Sequence, residues 1–182
     1  MSNIINGINV GDLQQFVQEV SKDASKGAIR YNVHTKWEGQ TRTVATVNHY
    51  ELGGERHVRA FEIVADEPVE LLGRNTAPNP QELLMAGLNA CMSVGYVAHA
   101  AAMGITIHSL EIETGGQLDL RGFLGLDDSV NPGFDEVEYV VRLRADASPE
   151  RVQELHELAT RTSVNRANFS KAIRMVHKLE VL

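Results

Sequence analysis

Between Leu83 and Met103 no side chain carries a fixed charge. Such a run has two resting places, a bilayer or a protein interior, and that choice constrains the rest of the fold. Just before it stands Asn79-Pro80-Gln81-Glu82: an N-cap residue, a proline at the first helical position and an acid at the third. Gly104 follows as a C-terminal stop. The spacing predicts a helix to Met103, roughly 36 Å long at about 1.5 Å per residue. About 20 apolar residues suffice to span a membrane. Here, however, Asn89, Ser93 and His99 interrupt the run, Ala and Gly dilute it, and Lys/Arg flanks are missing. The reading is a central helix buried on every side, with no membrane partner.

The flanking segments supply sheets to bury it. An amphipathic helix from about Gly11 to Asp23 carries Leu13, Phe16, Val17 and Val20 on one face. From Ala28 the period changes to two: Ile29, Tyr31, Val33, Thr35 and Trp37 alternate with Arg30, Asn32, His34 and Lys36. Glu38-Gly39 and Gly53-Gly54 then separate further strands over Thr41 to Tyr50 and Val58 to Ala65, and 66–78 is a loop. Beyond the helix, Ile105 to Glu113 is strand-like, Gly115-Gly116 a turn, Gln117 to Leu120 a short return and 121–134 a long loop. Val137, Tyr139, Val141 and Leu143 alternate as a strand. Ser148-Pro149-Glu150 caps a helix with the face Val152, Leu155, Leu158 and Ala159. After a break at 161–166, Ile173 to Leu182 reads as a closing strand. This order is α+β and not a βαβ repeat. It predicts a helical extension over 1–27 and one domain over 28–182. Its sheets are too thin to cover a helix apolar all round, so a second chain is expected to complete the core.

Composition excludes several functions. Seventeen Lys+Arg against twenty-four Asp+Glu leave a charge of −7, and no basic run offers an electrostatic footprint for nucleic acid. The only cysteine, Cys91, excludes an intramolecular disulfide and a cysteine-built zinc cage. A lone thiol and the absence of a secretory pattern in Met1 to Gly11 point to the reducing cytoplasm. Seven histidines form no i,i+4 pair, and no GxGxxG, Walker A or GxSxG is present, so neither metal nor cofactor is expected. Cys91 lies mid-helix with Gly87 and Gly95 one turn to either side. Those small neighbours suit either a close-packed core thiol or a sulfur that a ligand can reach. His99, eight residues on and roughly 12 Å along the axis, is too far for a Cys–His dyad within the helix.

The stretch Asn79-Pro80-Gln81-Glu82-Leu83-Leu84-Met85-Ala86-Gly87-Leu88-Asn89-Ala90-Cys91 resembles the signature of the OsmC/Ohr family, the osmotically inducible and organic-hydroperoxide-resistance proteins. The element order from about Ile29 to Leu182 is similar too. The resemblance implies an OsmC/Ohr-like fold, antiparallel sheets wrapped around long central helices in an intertwined homodimer. It implies a peroxidase in which Cys91 attacks an organic hydroperoxide, Glu70 is the orienting acid and Arg42 supplies charge. The family's second cysteine would fall in Thr162-Ser163-Val164-Asn165, where this chain has none, so an external thiol reductant becomes a partner. The alternative is a non-catalytic dimer that binds an apolar small molecule in its cleft, with Cys91 only lining it.

Overall fold

Asn6 and Gly7 both adopt positive φ, 52° and 78°, as a type I′ turn requires. They join β1 (Ile4–Ile5) to β2 (Ile8–Asn9) in a short hairpin. A computed structural model of the chain describes residues 3–181. It separates into two units, the first ending at Ala86 and the second beginning at Gly87.

In the first unit the Asn9 side chain accepts from the Gly11 N–H and starts α1 (Val10–Lys22). This is the amphipathic helix read from the sequence, yet Phe16 and Val17 on its apolar face stay exposed. β3 (Ile29–Tyr31) and β4 (His34–Trp37) both pair with β5 (Thr43–Leu52), which pairs in turn with β6 (Glu55–Ala65). The single first strand expected from the alternation is therefore broken at Asn32-Val33. The cause is register: Tyr31 opposes Tyr50 and His34 opposes Thr46, so the two pieces are out of step by one residue. In the same region β6 sets two residues, Arg59 and Ala60, against Asn48 of β5, a β-bulge. Trp37, Val58, Phe61 and Ile63 share one face of this sheet by register, and that face is open, with Trp37 72% and Val58 84% exposed.

The uncharged run forms α2 (Pro80–Ala102). Its start is a reciprocal capping box: Asn79 Oδ1 accepts from the Glu82 N–H and Glu82 Oε2 from the Asn79 N–H, both at 2.8 Å. Its end is a Schellman motif. Gly104 takes φ 72°, Ile105 N–H donates to Ala100 O at 2.8 Å, and Gly104 N–H donates to Ala101 O at 3.2 Å.

In the second unit β7 (Ile107–Gly116) pairs antiparallel with β8 (Val137–Ala145). α3 (Leu120–Phe123) is a single turn, α4 (Pro149–Thr162) follows β8, and α5 (Val164–Phe169) follows α4 directly. Leu88, Met92, Tyr96 and Ala100, spaced four apart, form the buried stripe of α2. With Ile105, Leu155 and Ala159 they make a core onto which Ile112, Tyr139, Val141 and Leu143 pack.

Three expectations need correction, and the central helix is only partly covered within one chain, with Leu84 half-exposed and Val94 69% exposed. It is long and apolar enough by composition to cross a membrane, with 22% of the relevant window buried. Gly115-Gly116 is not a turn, because both residues continue the ladder opposite Glu138 and Val137. A Cβ at Gly116 would stand 3.0 Å from the Phe134 ring, so the glycine serves a close approach rather than a reversal. Consequently 117–119 form no return strand. Finally, 171–181 take no strand structure in the chain, and Ile173, Met175, Val176, Leu179 and Val181 are exposed. Leu182 lies outside the described residues.

Candidate functional site

Cys91 is partly exposed on α2, and its sulfur is met from the junction of α4 and α5. Ser163 forms that junction with extended backbone, φ −67° and ψ 119°. Its hydroxyl donates to Cys91 Sγ at 3.6 Å and accepts the Arg166 N–H at 3.3 Å, capping α5. The Asn165 N–H donates to Cys91 Sγ at 3.4 Å. The Asn165 side chain donates to Gly87 O at 2.8 Å, which clamps the start of α5 to α2 one turn before the thiol. Two donors thus converge on the sulfur. Both are hydrogen-bond donors, and a cysteine sulfur accepts from them. Ser163 itself is buried, 3% exposed.

Of the stretch where the family's second cysteine was expected, it is Ser163 that faces Cys91. Thr162 turns away: its Oγ1 donates to Leu158 O at 2.8 Å and meets His99 Nε2 at 2.8 Å. With one hydroxyl proton given to Leu158, Oγ1 accepts from His99, which sets the Nε2–H tautomer. Burial holds His99 below the usual imidazole range, in keeping with a neutral ring. Tyr96, fully buried, has its phenol pushed up to about 12, mainly by burial, and its Oη lies 2.5 Å from His156 Nδ1.

Arg42 and Glu70 belong to the first unit, Cys91 to the second. Arg42 Nε pairs with Glu38 Oε2 and its Nη1 donates to Thr76 Oγ1, each at 3.1 Å. Thr76 in turn donates from Oγ1 (2.7 Å) and N–H (3.1 Å) to Asp66 Oδ2, while Thr41 Oγ1 and the Glu67 N–H donate to Asp66 Oδ1 at 2.7 and 3.0 Å. The Thr76 and Thr41 hydroxyls hold this buried carboxyl well below the usual range. Arg42 is therefore built into a network that ties the 66–76 loop to the turn preceding β5. Glu70 lies exposed in the 3-10 turn Val69–Leu71 of that loop.

The loop is tightly folded. Leu72 and Asn75 take positive φ, 66° and 54°, and a Cβ on Gly73 would fall 1.8 Å from Glu67 O. Glu67 Oε2 is buried without a hydrogen-bond partner among the described residues. Desolvation first, then Asp66 and Glu82, raises the pKa of this carboxyl. Sequence reasoning singled out the stretch holding Ser163 and Asn165 only for its missing cysteine, and it missed their role as donors and Glu67 altogether, since each acts through position rather than through a recognisable spacing.

Among the described residues no group of three His, Cys, Asp or Glu side chains could hold a metal ion. A cleft of about 570 Å³ in the second unit is lined by Asp119, Asp135, Glu136 and Glu138 among others, and by none of the groups around Cys91.

Residues 73–178, more than half of the chain, match the family model described as OsmC-like protein. Among solved structures the chain is similar to an OsmC-like protein from Mycoplasma pneumoniae. The TM-score is 0.62 at 16% identity, over 78% of this chain and 87% of that one. It is also similar to an OsmC-like protein from Vibrio cholerae (TM-score 0.54, 14% identity, 76% of this chain and 92% of that one). At these identities the likeness is one of fold. No curated protein matches the sequence.

Proposed function

Because the chain belongs to the OsmC-like family, we propose that it is a thiol-dependent peroxidase that reduces organic hydroperoxides with Cys91. The observation that carries this reading is the pair of donors, Ser163 Oγ and Asn165 N–H, aimed at the sulfur. The Cys91 thiolate attacks the distal peroxide oxygen, the O–O bond breaks, and the alkoxide takes a proton to leave as an alcohol. The sulfur, oxidised by two electrons, remains as a sulfenic acid. The chain has no second cysteine. An external thiol therefore attacks the sulfenic sulfur and expels water, and a second thiol releases Cys91 and leaves as a disulfide. Glu70 and Arg42 enter this reading as the orienting acid and the supporting charge, to be judged by Glu70→Gln and Arg42→Gln. No further cofactor is required, and a reducing compartment such as the cytoplasm suits a single free cysteine.

The assembly in this reading is a homodimer. The open face of Trp37, Val58, Phe61 and Ile63, and Leu84 and Val94 of α2, are apolar surface of the kind a second copy buries. We accordingly read α2 as the core helix of a dimer and not as a membrane span. Light scattering is expected to give twice the 20.0 kDa chain mass.

The deciding assay couples hydroperoxide loss to oxidation of a small dithiol. The wild type is expected to turn over, and Cys91→Ser to be inactive. Equal rates for the two proteins would replace the enzyme by a non-catalytic dimer that binds an apolar small molecule.

A further inference from the structure

We propose that Arg166 is an anion-binding residue of the Cys91 site, taking the carboxylate end of the small molecule that meets the sulfur. The inference builds on Cys91 as the reacting thiol. Arg166 stands in the first turn of α5, and its backbone N–H bonds the Ser163 hydroxyl that donates to Cys91 Sγ. Its side chain is held in place, with Nε donating to Tyr139 Oη at 3.1 Å on β8.

That phenol oxygen is the one acceptor the guanidinium has among the described residues. Like the exposed arginines other than Arg121 and Arg142, Arg166 pairs with no carboxylate among the described residues. It is also partly buried, so water compensates its charge less fully than at the surface. A guanidinium offers five N–H donors in a planar fork. With Nε committed, both Nη groups remain for the two parallel bonds a carboxylate accepts. The chain as a whole carries −7, so an unpaired, immobilised cation next to the residues around the thiol is a feature that a ligand, not the protein, would satisfy. The carboxylate has two possible sources, an organic acid on the peroxide side or an acidic thiol on the reductant side.

The test compares alkylation of Cys91 by iodoacetate and by iodoacetamide in the intact protein. The two reagents share a leaving group and differ in charge, so their rate ratio cancels the reactivity of the thiol itself. The iodoacetate-to-iodoacetamide ratio is expected to fall about tenfold in Arg166→Gln, the loss of one charge-assisted contact. Arg166→Lys, which keeps the charge and stands in should the glutamine variant fail to fold, is expected to retain part of the preference. A merely structural role would slow both reagents alike. A ratio unchanged in both variants, or a Cys91 that neither reagent reaches, overturns the proposal. Protection against iodoacetamide then separates the sources: octanoate represents the organic acid and S-methylglutathione the acidic thiol. At least one is expected to protect the wild type and not Arg166→Gln, and protection by neither overturns the assignment. None of these readouts needs turnover, so their failure is distinct from failure of the peroxidase reading.

Discussion

Replacing Ser163 by cysteine should convert the one-thiol site into a disulfide. Ser163 Oγ and Cys91 Sγ are 3.6 Å apart, and a small rotation of either side chain brings two sulfurs to a bond of about 2.05 Å. The crosslink joins positions 72 residues apart. Loop-closure entropy for that length is worth about 4.4 kcal/mol at 25 °C as an upper limit. Against it stands the cap that the serine gives the Arg166 N–H, about 1 kcal/mol. The net gain is about 3 kcal/mol, or roughly 10 °C in the midpoint of thermal unfolding for a domain of this size. The assay is thermal unfolding of Ser163→Cys before and after reduction, with mass spectrometry of the linked peptides. Thr162→Cys serves as the contrast, because Thr162 faces His99 and should leave two free thiols. Two titratable thiols in oxidised Ser163→Cys, or equal midpoints with and without reductant, would show that the two side chains do not meet as described.

The 66–76 loop gives three further expectations. Gly73→Ala should cost about 3 kcal/mol or more, since the added methyl overlaps Glu67 O; chemical denaturation measures it, and a smaller loss would mean the loop relaxes freely. Asp66 is held below its ordinary range by hydroxyl donors, so its contribution is complete above the unfolded carboxylate range and is lost as the pH falls toward its lowered folded value. Asp66→Asn should lower the midpoint at pH 7 and flatten its decline in acid. Glu67, its neighbour, is shifted the other way: its folded state favours the proton, so stability falls as the pH rises through the unfolded range toward the raised folded value. Glu67→Gln should raise the midpoint at pH 7 and leave it little changed at pH 4. A destabilised Glu67→Gln would indicate that the carboxylate has a partner in the assembled protein.

Local chemistry was legible wherever it is written in adjacent residues. Asn79, Pro80 and Glu82 announced a capped helix, Gly104 its end, and the structure realises them as a capping box and a Schellman motif. The alternation of 29–37 and 137–143 likewise became strands, although the register offset at Asn32-Val33 split the first of them. The errors share a different origin. Periodicity reports that Val94, Met175 or Leu179 belongs against something, and it does not say whether that surface is in the same chain. Gly115-Gly116 misled because glycine permits a turn without requiring one. α5 is six residues long, too short for a helical period to register. The donors that Ser163 and Asn165 turn to the Cys91 sulfur therefore lay hidden, even though the stretch that holds them stood out for its missing cysteine.

The C-terminal segment bears on how the protein is made. Ile173, Met175, Leu179 and Val181 alternate along it, exposed and without ladder partners among the described residues. That combination is what indiscriminate cross-strand aggregation feeds on. Arg174, Lys178 and Glu180 alternate with the apolar positions, and charges so placed act as gatekeepers: pairing in a wrong register or with a flat apolar neighbour buries them uncompensated. These charges therefore protect the exposed segment against indiscriminate pairing. Neutralising them would be felt first as insoluble protein during synthesis, before any loss of stability in molecules that had already folded.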